Sequence, residues 1–285
     1  MLLAAIISKP QKPELSTILP ELIQWLAEHN YDAVLDPDSA AYVGAAGAVA
    51  RVDLPLRQPN LVIVLGGDGT LLAAARAFAR TRTPILSVNL GALGFLTEIP
   101  LHDLYSTLQA WCDNCAVFDV REMMHAELYR GSELLSEWHA LNDVVIAKGT
   151  IARMADFRVE IDSQQVATFR ADGIIVSTPT GSTAYNLAAN GPIVMPNLSA
   201  TVVTPICPHL LTLRPIVVPS ASTVCVHVVG VPNETFLTVD GQEAVQVQLG
   251  DRVQCHRSEF SVRLLRHQPN GLFSVLRSKL KWGER

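Results

Sequence analysis

The run Leu61-Val-Ile-Val-Leu65, followed by Gly66-Gly67-Asp68-Gly69-Thr70 and then Leu71-Leu-Ala-Ala-Ala-Arg76, leaves this chain few options. Five consecutive large apolar residues do not alternate between a wet and a dry face. They specify a strand covered on both sides, the environment of a parallel sheet between helices. The glycines at its end permit a tight turn, and Thr70 can cap the alanine- and leucine-rich helix that follows. Backbone N–H groups at such a turn face anions, and neither GxxxxGK[ST] nor GxGxxG is present. The loop is of another kind, because it carries a carboxylate, Asp68, at its crest. That carboxylate would repel phosphates unless a metal screens it or another group meets it. A useful partner is an incoming hydroxyl, whose proton Asp68 takes while the oxygen attacks a phosphorus cradled by Gly66, Gly67, Gly69 and Thr70. Phosphoryl transfer to an alcohol fits this arrangement.

Around the loop, segments alternate as in an α/β layer. LLAAIIS (2–8) and PILSVN (84–89) read as further buried strands. Leu15, Ile18, Leu22, Trp25 and Leu26 recur at helical spacing, interrupted by Pro20, and LHDLYSTLQAWC (101–112) is again helical. Beyond residue 117 the period changes to short β-branched or alternating runs such as DFRVEID, GIIVST and TVCVHVV, with Asp240-Gly241 and Gly250-Asp251 as hairpin turns. The expected fold is an α/β N-terminal domain with a Rossmann-like parallel sheet (1–117) and an all-β, two-layer sandwich-like domain (118–268). A tail (269–285) is expected to pack back on the first domain.

Hydrophobic residues make up 49% of the 285 and charged ones 17%, the balance of a folded globular chain. A net charge of −5, with 22 basic residues scattered along the chain, leaves no footprint for nucleic acid or anionic lipid. The opening MLLAAII is too short to span a membrane and reads as the first strand; cytoplasmic residence is the expectation. Five irregularly spaced cysteines fit free thiols, and Cys112-Asp-Asn-Cys115 has no second pair with which to build a zinc site. His102, His125, His139, His227, His256 and His267 show no i, i+4 pairing and read as ordinary surface or core residues; His209 is better placed to line a site. No GxSxG nucleophile motif is evident.

Two further stretches bear on chemistry. Asp172-Gly-Ile-Ile-Val-Ser-Thr-Pro-Thr-Gly-Ser-Thr-Ala-Tyr185-Asn186 runs from an apolar strand into a crowd of small and hydroxyl residues, then into a short helix that stops at Asn190-Gly191-Pro192. Such a loop suits a polyhydroxylated, phosphate-bearing ligand, with an exposed Tyr185–Asn186 pair and a tyrosine ring for stacking. Asn142-Asp143, before Val144-Val145, can be a simple turn; alternatively Asn can meet an adenine edge and Asp a ribose diol.

Together GGDGT, NLGALGFLTE (89–98), LNDVV, DGIIVSTPTGSTAYNLAANGPIV, CPHLLTLRPIVVP and LRSKLKWG resemble, in order and over the whole chain, the motifs of the NAD kinase family. GGDG alone is shared with lipid kinases; the TPTGSTAY block is far more specific. The resemblance implies transfer of the ATP γ-phosphate to the adenosine-ribose 2′-hydroxyl of NAD, with Asp68 as general base and Gly69 against the same ligand. It further implies NAD contacts from Asn142, Asp143, Arg153, Arg170, Asp172, Thr183, Ala184, Tyr185, Asn186, Leu187, Ala188 and Gln242. Asp143 replaces the family's usual Glu and shortens that reach. Arg170 matches members that favour NAD over NADH. A divalent cation, Mg²⁺, is expected with ATP, without an assigned protein ligand, and a homo-oligomer, dimer or tetramer, is implied. The alternatives at this level are a lipid kinase sharing GGDGT and a non-catalytic dinucleotide sensor.

Overall fold

The computed structural model describes residues 2–91, 94–149, 154–230, 234–266 and 272–283. The chain divides into two compact units, Met1–Val120 with Val262–Arg285, and Arg121–Ser261.

The first unit begins β1 (Leu2–Ser8), α1 (Leu15–Glu28), β2 (Tyr31–Leu35) and α2 (Pro37–Val43). It continues with β3 (Leu61–Gly66), α3 (Asp68–Ala77), β4 (Ile85–Asn89), the two-residue β5 (Ile99–Pro100) and α4 (Leu104–Cys112). The strands pair in the order β4-β3-β1-β2, all parallel. Every residue of β3 is buried, as its unbroken apolar run requires. In α1, Leu15, Leu19, Leu22 and Leu26 form the buried stripe. Each contributes on the order of 1.5–3 kcal/mol by leaving water. That stripe explains why α1 runs through Pro20 instead of stopping there. Pro20 is exposed, so the carbonyl it cannot bond is left where water reaches it. Asp36 caps α2 through Ser39 N–H at 2.8 Å and is paired with Arg51 at 2.7 Å, which offsets the burial of its charge.

The second unit is built from β6 (Val117–Arg130, entering from the first unit), β7 (Glu133–Ala140), β8 (Asp143–Lys148), β9 (Ala155–Ile161), β10 (Gln164–Ala171) and β11 (Gly173–Ser177). After α5 (Tyr185–Ala188) come β12 (Ala200–Ile206), β13 (Ile216–Pro219), β14 (Val224–Gly230), β15 (Thr235–Val239), β16 (Glu243–Gln246) and β17 (Asp251–Arg266). The last helix, α6 (Leu272–Leu280), belongs to the first unit, where Leu264 at the end of β17 also pairs with Ile85 of β4. One antiparallel sheet runs β13-β12-β11-β8-β15-β16. The other layer carries β10-β9-β14-β17, with β6 on β17 and β7 on β6. Period-2 alternation supplies the core between them: Val144, Ile146, Ile174, Val176, Leu237 and Val239 from one sheet meet Ala126, Leu128, Phe157, Val159, Val226 and Val253 from the other. The second unit is thus the expected two-layer all-β sandwich, and the first the expected parallel α/β layer.

Candidate active site

In the first unit the site is made by the end of β3. Gly66 is the last residue of the strand, and a Cβ there would stand 2.5 Å from Thr70 Oγ1, so only glycine lets α3 start this close to the sheet. Gly67 and Gly69 have no described atom within 4 Å of where a Cβ would point, so no side chain crowds that side of the turn. Asp68 is the first residue of α3, and it does not project alone from the crest. Its Oδ1 accepts from Leu96 N at 3.2 Å, Thr97 N at 3.0 Å and Thr97 Oγ1 at 2.9 Å, while Oδ2 accepts from Phe95 N at 3.0 Å. Asn89, at the end of β4, holds the same turn through Nδ2 to Thr97 O (3.2 Å) and Oγ1 (3.1 Å). Gly94 is obligatory here, since a Cβ would overlap both Asp68 Oδ1 and Thr97 Oγ1. Asn89, Gly94 and Thr97 lie within NLGALGFLTE, a stretch whose sequence alone assigns them no role. Their part depends on a contact some 29 positions away in sequence, between Asp68 and Thr97.

In the second unit two loops lock together. Asp240 Oδ1 accepts from the N–H groups of Asn142 (2.7 Å) and Asp143 (3.1 Å), and Oδ2 from that of Leu141 (2.9 Å). Asp240 and Gly241 both lie at positive φ, 51° and 64°, with Gln242 N–H returning to Val239 O at 3.0 Å. That is the hairpin turn read from Asp-Gly, with a second task that sequence reading missed. Thr178 Oγ1 donates to Leu141 O at 2.6 Å, Thr178 N–H to Asn142 O at 2.9 Å, and a Cβ on Gly181 would overlap the Asn142 carbonyl. The Asn142-Asp143 and Thr178–Ser182 segments are therefore one assembly, braced by the buried Arg121, whose Nη1 donates to Thr180 Oγ1 at 3.2 Å. Asn142 Oδ1 is buried with no hydrogen-bond partner among the described residues. Burial, with the neighbouring Asp240 carboxylate second, pushes the Asp143 carboxyl up to about 7.

Tyr185 is 46% exposed, as a stacking ring needs, but Asn186 is fully buried and is not part of an exposed pair. Its Nδ2 donates to Ser182 O and Pro192 O, both at 3.0 Å, and its Oδ1 accepts from Thr204 Oγ1 at 2.6 Å. Asn186 spends its amide holding the loop's shape. Thr183, Ala184 and Leu187 are half-buried on the same short turn, and Ala188 and Gln242 are exposed. Arg170 forms a forked pair with Asp156, Nε to Oδ1 at 2.8 Å and Nη2 to Oδ2 at 3.2 Å. These two residues, with Thr168, Phe169, His209 and Leu210, line a cleft of about 370 Å³, and His209 N–H donates to Arg170 O at 2.9 Å. Asp172 pairs with Lys148 at 2.8 Å. Arg153 lies outside the described residues.

Comparison with known proteins follows the same division. The ATP-NAD kinase N-terminal domain family matches residues 56–114, and the ATP-NAD kinase C-terminal domain family matches residues 141–267. The chain is 59% identical over 281 residues to the NAD kinase of Acidobacterium capsulatum, covering 99% of each. It is 49% identical over 282 residues to that of Koribacter versatilis, covering 99% of this chain and 98% of the relative. Among solved structures, yeast NADH kinase complexed with NADH has a TM-score of 0.91 at 25% identity, over 100% of this chain and 89% of that one. An NAD kinase from Archaeoglobus fulgidus in complex with ATP has a TM-score of 0.77 at 22% identity, over 98% and 99%, and bears on the fold alone.

Proposed function

The chain belongs to the NAD kinase family, and from that membership we propose that it transfers the γ-phosphoryl group of ATP to the 2′-hydroxyl of the adenosine ribose of NAD, giving NADP and ADP. Both matched domains and the full-length relatives are of this family, and nothing in them favours a lipid kinase.

The observation that carries the catalytic assignment is the unequal loading of the Asp68 carboxylate. Oδ1 is saturated by three donors, whereas Oδ2 accepts one and keeps a lone pair. Oδ2 is our general base: it takes the proton of the 2′-hydroxyl as that oxygen bonds to the γ-phosphorus and the bond to the β-phosphate oxygen breaks. Gly66, Gly67, Gly69 and Thr70 cradle phosphate oxygens at the α3 N-terminus. No covalent enzyme intermediate is needed. When it is not engaged with the hydroxyl, Oδ2 is also the carboxylate oxygen that would hold a divalent cation; Mg²⁺ would supply charge neutralisation to ATP while keeping much of its water.

NAD is held, in this reading, by Asn142, Asp143, Arg153, Arg170, Asp172, Thr183, Ala184, Tyr185, Leu187, Ala188 and Gln242, with Asn186 positioning the loop. The unpartnered Asn142 Oδ1 suits an amine donor such as the adenine edge. An Asp143 carboxyl that titrates near neutrality can donate to, as well as accept from, a ribose diol. Arg170 favours NAD over NADH. Cytoplasmic residence and a homo-oligomer, dimer or tetramer, belong to the same proposal; Leu211, 86% exposed beside the His209 cleft, is apolar surface that a second copy would cover. Incubation of the pure protein with ATP, Mg²⁺ and NAD, with NADP read by a coupled dehydrogenase, tests the activity. Dinucleotide binding without NADP formation would replace the kinase with a sensor.

A further inference from the structure

Three of the histidines that look scattered along the chain, His125, His139 and His256, are close in space. On β6, β7 and β17, the residues alternating with the core-facing Met124, Ala126, Leu128, Ala140, Val253 and Cys255 point to the other face of the sheet. That face carries His125 and Glu127 from β6, Glu137 and His139 from β7, and His256 from β17. Register brings them together, with His125 opposite His139 and Glu127 opposite Glu137.

His125 Nδ1 and His256 Nε2 stand 3.2 Å apart. This is close to the edge of a tetrahedron built on metal–nitrogen bonds of about 2 Å, roughly 3.3 Å. One ligand atom from each of His125, Glu127 and His256 lies within 4.8 Å of the others. Behind His125, Glu137 Oε2 is 3.3 Å from Nε2, an ion-pair distance without hydrogen-bond alignment, from which a small turn of the exposed carboxylate would let it orient a metal-bound imidazole. The His139 ring stacks on His125 at 4.7 Å between centroids and is itself held by Ser258 Oγ at 3.0 Å. Tyr129 and Gln254 donate to the two oxygens of Glu127, at 3.0 and 3.3 Å. Two carboxylates beside two imidazoles match the charge of a dication. A second cluster, Glu160, Cys225 and His227, is a poorer cage: Arg158 Nε sits 3.2 Å from Glu160, and burial holds the Cys225 thiol protonated, with its pKa pushed up to about 11.

We propose that His125, His256 and Glu127 form a binding site for a zinc-type divalent cation, with Glu137 as the outer carboxylate, distinct from the phosphoryl-transfer residues. Imidazole and carboxylate ligands with a fourth position open suit Zn²⁺ over Mg²⁺, which demands octahedral oxygen. The ion clips β6 to β17, and because it binds the folded chain alone it raises thermal stability.

The test uses the full chain, stripped with a chelator and titrated with Zn²⁺ alone against a chromophoric competitor. The expected result is one Zn²⁺ per chain and a higher melting temperature. His125→Gln and His256→Gln should each abolish that binding, Glu137→Gln should weaken it by about 10–100-fold, and His227→Gln should leave it unchanged. Co²⁺ added to the unmutated chain gives a reading that does not depend on the variants folding, through visible d–d bands of a four- or five-coordinate ion. Absence of stoichiometric binding, bands typical only of hexa-aqua Co²⁺, or binding that follows His227 instead of His125 overturns the proposal and leaves a metal-free histidine cluster.

Discussion

Thr97 meets Asp68 twice, through its backbone N–H at 3.0 Å and its hydroxyl at 2.9 Å, both on Oδ1. Those bonds fix which carboxylate oxygen stays available, and Asn89 in turn fixes Thr97. The acid in the glycine turn is thereby held by a neighbouring turn while one oxygen remains able to act.

Asp68→Asn should lower kcat by about 10² or more, since a general base contributes at least that, while NAD binding persists. The amide also places an N–H₂ against a backbone donor, with an expected stability loss of about 1–3 kcal/mol. Steady-state kinetics with NAD titration by calorimetry separates the two effects. Turnover within a few-fold of the parent removes the base assignment.

Thr97→Val removes the hydroxyl bonded by both Asp68 and Asn89. The expected fall in kcat is about tenfold, one hydrogen bond's worth of positioning, with little change in KM. Thr97→Ser should restore it. Equal loss in both variants would mean that the methyl group, not the hydroxyl, matters.

Gly181→Ala inserts a Cβ into the Asn142 carbonyl. Because the obstacle is backbone, the two loops must separate, and overpacking of this kind costs about 1–3 kcal/mol. KM for NAD should rise about tenfold or more, with a lower melting temperature. Gly67→Ala, where a Cβ meets nothing, should leave stability nearly unchanged.

Asp143 gives stability a pH dependence. Its carboxyl titrates at about 7 in the folded chain against 3.8 in the reference state. Below about 4 both states are protonated; between there and about 7 the unfolded chain releases the proton and the folded chain keeps it, so this group's contribution falls as pH rises and levels off above. Asp143→Asn should remove that slope and raise the urea midpoint at about pH 8 more than at about pH 4. Parallel pH profiles in the two proteins would exclude the burial argument.

The strand-turn-helix unit was legible because its cause is local: β3 is apolar throughout, and glycines follow it. The change to period-2 alternation likewise announced the sandwich, and Asp240-Gly241 its hairpin. Pro20 does not interrupt α1, because the buried leucines override its local propensity and their burial is a tertiary fact. Asn186 misled because a polar residue beside an exposed tyrosine reads as exposed, yet one helical step separates surface from core. Asp240 looked like turn chemistry alone, since its three amide partners lie 97 to 99 positions earlier.

By itself the sequence determined the strand-turn-helix unit of β3 and α3, the change from an α/β to an all-β pattern, and the order of motifs that places the chain in its family, because periodicity and glycine placement act through neighbours in the chain. Tertiary structure alone decided which oxygen of Asp68 carries fewer hydrogen bonds, that Asp240 and Gly181 hold the Asn142 loop, and that His125 and His256, 131 positions apart, face each other at 3.2 Å. Those relations are set by strand register and close packing, where partners are chosen by distance in space and no residue carries the address of the other.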